Sequence, residues 1–139
     1  MTRFFQDNKG KISFLTNKII EDIICIHWLD TESISETPDL IWLKTKGQEY
    51  WLRFFIDAGC VFGAKYNLAE FRDVYSEDLE DSYSYSFCHG YCLFDTVIIS
   101  ANVNSINTDG VKLSLLLKCD RIIEIYSNNL DEPTNIVLK

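Results

Sequence analysis

A chain of 139 residues is about the modal size of one domain and can bury roughly two-thirds of its unfolded surface, so residues 1–139 read as a single globular unit. Hydrophobic residues at 47% and charged residues at 24% exclude wholesale disorder. The 13 basic and 21 acidic residues leave a net charge of −8, which disfavours nucleic acid and makes a basic protein the natural partner; the alternative is that acidity only keeps an aromatic-rich chain soluble.

No apolar stretch near the N-terminus has the length of a secretory signal and no segment approaches a membrane span, so a cytoplasmic protein without a membrane partner is expected. Cys25, Cys60, Cys88, Cys92 and Cys119 form an odd set in a chain too large to depend on staples, which suits free thiols in a reducing compartment.

In chain order, residues 19–29 are apolar on both faces and rich in β-branched side chains, which favours a central strand, although the spacing of Ile19, Ile23 and Ile26 also fits a helix. Residues 40–43 and 50–56 form a predicted hairpin with Gly47 available for the turn. Tyr50, Leu52, Phe54 and Ile56 share one face. Trp51 and Phe55 make the opposite face apolar, so it is either covered by another layer or is a contact surface. A short helix is predicted to open at Asn67, a good N-cap, with Glu70 placed as in a capping box and Leu68, Phe71 and Val74 at helical spacing.

Further on, Val97, Ile99, Ala101 and Val103 alternate with their neighbours, as do Val111, Leu113, Leu115, Leu117 and Cys119. Residues 107–110 between them tolerate positive φ, so the two runs form a predicted antiparallel hairpin. Residues 121–126 and 134–138 supply another strand pair. The fold class expected is mainly β to α+β, an antiparallel sheet or sandwich built from hairpins with one or two short helices.

The most distinctive stretch is 70–81, where Glu70, Asp73, Glu77, Asp78, Glu80 and Asp81 crowd together with only Arg72 of opposite sign. Carboxylates this close repel one another, so the fold is expected to present them to solvent or to a cationic partner. Tyr83 and Tyr85 follow, alternating with Ser82, Ser84 and Ser86. This composition suits an exposed recognition edge, or equally an ordinary edge strand with its serines outward.

Cys88-His89-Gly90-Tyr91-Cys92 is the one run with the character of a metal or thiol site, and Cys25 and His27 would face the same way on a strand and could complete four zinc ligands. No second cysteine pair accompanies it, and free cysteine is commonly a small buried apolar residue, so no metal and no cofactor is assigned. Cysteine catalysis is disfavoured because Cys88 and His89, if extended, point to opposite faces. Neither a phosphate cradle nor a dinucleotide fingerprint is present, and no catalytic residue is assigned.

Size, the acidic run 70–81, a second basic-free cluster of Asp30, Glu32, Glu36 and Asp39, and the aromatic segment 50–57 together resemble the small acidic immunity proteins of bacterial toxin systems, including contact-dependent growth inhibition. The resemblance implies a non-enzymatic protein, monomeric or weakly dimeric, that binds one cognate toxin domain, often a basic nuclease, and occludes its active site. Its contacts would come from the two acidic clusters with Tyr83 and Tyr85. Replacing Glu77, Asp78, Glu80 and Asp81 by their amides would then slow association and leave the fold intact. Two other readings stay open: a ligand-binding or enzymatic β domain with an aromatic pocket, and an oligomer-forming module joined through Trp51 and Phe55.

Overall fold

The computed structural model of the protein describes residues 3–7, 9–29, 38–129 and 134–139, the first of these segments as backbone alone. Its strands form two antiparallel sheets. The first, six-stranded, orders β1 (Arg3–Asp7), β6 (Cys60–Asn67), β5 (Tyr50–Asp57), β4 (Leu40–Thr45), β3 (Ile20–Trp28) and β7 (Ser82–Ser86). The second, five-stranded, orders β11 (Asn135–Leu138), β10 (Ile122–Ser127), β9 (Val111–Leu117), β8 (Ile98–Ser105) and β2 (Gly10–Lys11). With helices α1 (Leu68–Leu79) and α2 (Phe87–Tyr91), this is the α+β, mainly β fold expected.

Period-two alternation builds the main core. Val111, Leu113, Leu115 and Leu117 of β9 are all buried, facing Ile23 and Cys25 of β3 and Leu52 and Phe54 of β5 in one cluster. Each such aliphatic or aromatic side chain contributes about 1.5–3 kcal/mol by leaving water. The outer face of the first sheet is apolar as well, and α1 covers it: Ile26, Leu40, Trp42, Ala64 and Tyr66 form a second cluster against Phe71, Val74 and Tyr75. That layer answers the question posed by the aromatic face of β5. Trp51 stacks on Phe71 at 4.4 Å, and Phe55 on Phe62 at 5.2 Å. Because β3 is an interior strand with a core on each side, its continuous apolar run is a strand and not a helix.

The expected hairpins of β4 with β5, β8 with β9 and β10 with β11 are all paired antiparallel. Two details differ. A register shift between Ile98 and Ser100 slips β8 by one residue, so Ile98 is fully buried and Ile99, expected inside, is 42% exposed. β9 ends at Leu117, because Asp120 turns the chain at φ 65°, and Cys119 is therefore exposed in the turn and not in the strand.

Candidate functional site

The helix forms as its start signal dictates. Asn67 caps α1: its side chain accepts the Glu70 backbone N–H at 2.9 Å, while the Glu70 carboxylate accepts the Asn67 backbone N–H at 3.1 Å. Phe71, Val74, Tyr75 and Asp78, at helical spacing, face the sheet. At about 100° per residue, Glu70, Asp73, Glu77 and Glu80 fall within an arc of about 80° on one flank of the helix. Asp73, Glu77, Glu80 and the following Asp81 are exposed, and no ion pair reaches them among the described residues. The last turn carries no basic residue. Glu77 and the C-cap Glu80 there oppose the helix dipole by roughly 0.3–1 kcal/mol each, so folding does not account for these two carboxylates.

Asp78 corrects the expectation that the whole run faces solvent. It is 5% exposed, accepts the Trp42 indole N–H at 3.1 Å, and takes Arg53 through Nε at 3.3 Å and Nη2 at 3.1 Å. The Arg53 guanidinium in turn lies 5.8 Å from the Trp42 ring centroid. The carboxylate pins α1 to β4 and β5, so an Asp78 amide would weaken the fold and does not belong among surface contacts. The sequence carries the signal: Asp78 is seven residues from Phe71, on the same helical face.

β7 begins where the acidic run ends, with the Leu29 backbone N–H donating to the Asp81 carbonyl at 2.7 Å. It is an edge strand, as the serine-tyrosine alternation allows, but the serines are not outward. Ser82 Oγ donates to the Asp78 carbonyl, Ser84 Oγ lies 3.0 Å from the Tyr75 hydroxyl, and Ser86 Oγ donates to Asp22 Oδ1 at 2.6 Å. Ser82 and Ser84 tuck beside α1 and Ser86 against β3, which leaves the tyrosines on the other side. Tyr83 and Tyr85 are each 39% exposed, and both stack on buried His27, at 4.8 and 5.3 Å. Burial, with Cys25 close by, raises the Tyr85 phenol above its ordinary value, so it remains a neutral hydroxyl. Exposed Leu29 and Tyr91 extend this apolar strip at either end of β7.

The other sequence candidates do not converge. Asp30, Glu32 and Glu36 lie outside the described residues. Asp39 accepts the Trp28 backbone N–H at 2.8 Å and so serves the β3–β4 connection. Cys88 and His89 are not extended: Ser86 caps α2, accepting the His89 backbone N–H at 3.0 Å, and the turn of helix buries Cys88 while His89 and Cys92 are exposed. Burial pushes the Cys25 and Cys88 thiols up to about 12, which keeps them protonated and poor nucleophiles. Among the described residues no three His, Cys, Asp or Glu side chains come together as a metal site. No helix of the described residues is long and apolar enough to cross a membrane.

For the aromatic-pocket reading there is a hollow of about 330 Å³ lined by Trp28, Leu40, Arg53, Phe55 and Asp57, in which Arg53, the one cation among the described lining residues, is already held by Asp78. For the oligomer reading, Trp51 lies under Phe71, while Phe55 stacks on Phe62 and packs against the second cluster, so both side chains are partly covered. No protein-family model, curated protein or solved structure matches the chain.

Proposed function

We propose that the protein is a non-enzymatic inhibitor that captures one cationic protein on the surface formed by α1 and β7, as an immunity protein occludes a toxin domain. The observation that carries this is the joining of two features. Exposed carboxylates that no described ion pair reaches, Asp73, Glu77 and Glu80, the latter two at the helix C-terminus where negative charge costs stability, run directly into an edge strand with two exposed tyrosines. A nuclease must hold a polyanion, so its cleft is positive, and clustered carboxylates fit the same electrostatic niche. Charge would speed encounter, while Tyr83 and Tyr85 would supply the desolvated contacts that hold the complex.

The test is to produce the polypeptide encoded immediately upstream, alone and together with this chain, in a bacterial host. Growth arrest by the polypeptide alone, relieved by this chain and not by a variant with Glu77, Glu80 and Asp81 changed to amides and Tyr83 and Tyr85 to alanine, supports the function. Relief that persists in that variant overturns the placement. Toxicity that the native chain does not relieve overturns the function for that pairing.

A further inference from the structure

An edge strand presents unpaired backbone donors and acceptors, and proteins blunt such edges with lysine, proline, bulges or very short strands. In this fold β2 has two residues, β11 has four and runs into Lys139, and β1 carries Arg3 and Asp7. β7 has no such device: Ser82–Ser86 holds no charged residue, glycine or proline, and it pairs with β3 without a register shift. The bond from Leu29 to the Asp81 carbonyl marks that pair as hydrogen-bonded. Bonded pairs alternate along an antiparallel ladder, so Tyr83 bonds His27 and Tyr85 bonds Cys25. The backbone N–H and C=O of Ser82 and Ser84 therefore point away from β3, and no described strand meets them. The serine hydroxyls are turned toward Asp78, Tyr75 and Asp22 and leave those groups uncovered.

Resting on the function proposed above, we propose that the outer edge of β7 receives an extended, lysine- or arginine-bearing segment of the cationic partner as a seventh strand of the first sheet. Main-chain bonds to Ser82 and Ser84 would set the register, and alternate apolar side chains would lie against Tyr83 and Tyr85. Charge selects this occupant. Glu77, Glu80 and Asp81 stand at the start of β7, so a second copy of the chain would bring like charges and a net −8 to the same edge, whereas a basic segment is attracted. In the antiparallel arrangement that every strand pair here adopts, the basic residues belong at the C-terminal end of the incoming segment.

The probe is a capped peptide of alternating valine and threonine ending in two lysines, titrated into the full chain with backbone amides followed by NMR. Expected are slowed exchange and shifts at Ser82 and Ser84, lost when the peptide's alternate backbone nitrogens are methylated at unchanged charge, and lost in Ser84→Pro, whose missing N–H lies on the outer side. Equal binding by the methylated peptide would overturn strand pairing while leaving the acidic-surface function standing. Equal binding by a peptide with glutamines for lysines would remove the charge argument and leave strand pairing. Absence of any response at Ser82 and Ser84, or concentration-dependent self-pairing at β7, would overturn the proposal.

Discussion

Replacing Asp78 with alanine separates the structural carboxylate from the exposed ones. The substitution leaves the indole N–H of Trp42, a residue at 0% exposure, without its acceptor, which costs about 1–3 kcal/mol. It also strips Arg53 of both of its bonds to that carboxylate. The Arg53 side chain is 21% exposed and regains some water, so this part falls short of the roughly 3–5 kcal/mol seen when a fully buried pair is broken. The sum expected is about 3–4 kcal/mol, a large fraction of the ~5–15 kcal/mol that holds a domain together. Asp78→Asn, which keeps an oxygen for Trp42 but gives up the charge, should lose about half as much. Urea unfolding followed by tryptophan fluorescence reads both variants, with the midpoint falling and the slope unchanged. If Asp78→Ala lies within ~0.5 kcal/mol of the native chain, as an exposed substitution would, then Asp78 does not pin α1 to the sheet.

The exposed carboxylates should behave in the opposite sense. Changing Glu77, Glu80 and Asp81 to amides relieves like charges at helical spacing and the unfavourable helix-dipole contact, so stability should rise by roughly 0.5–2 kcal/mol at low salt and by less at high salt, read from urea midpoints at both. Glu124 is held below its ordinary 4.5 first by the Lys112 hydrogen bond and then by that of Lys139. A depressed carboxylate contributes stability that is present above its unfolded pKa and lost as pH falls through the folded one, so the acid limb below pH 4.5 should be shallower in Glu124→Gln, measured by unfolding at stepped pH. Alkylation of the native protein, counted by mass spectrometry, should modify exposed Cys92 and Cys119 first and reach Cys25 and Cys88 only on unfolding; rapid native labelling of Cys25 would contradict its burial and raised pKa.

What the sequence discloses about this fold is its local chemistry. β9 is legible because a single face is buried and the alternation is strict, and the start of α1 because Asn67 and Glu70 satisfy one another's backbone groups within three residues. β6 is harder to read: Ala64 and Tyr66 pack in the cluster under α1 and Phe62 stacks on Phe55, while Val61 faces the main core, so it lacks a clean polar face, and Gly63 and Lys65 interrupt it. The bulge in β8 depends on pairing with β9, since only there does Ile98 opposite Leu117 displace Ile99. α2 is five residues long, too short for a period to register. At the candidate site, the acidic run and the tyrosines are plain in the sequence, but which carboxylate is spent inside depends on Arg53 and Trp42, 25 and 36 residues away.

The central claim is that the acidic flank of α1 beside β7 captures a positively charged protein. Its most direct test is the association rate, measured by stopped flow against the polypeptide whose toxicity this chain relieves in the growth assay above, for the native protein and for the Glu77, Glu80 and Asp81 amide variant with Asp78 left in place. A fall of about tenfold or more at low salt, narrowing as salt rises while the variant stays fully folded, is what the account predicts. Equal rates at every salt concentration would contradict it.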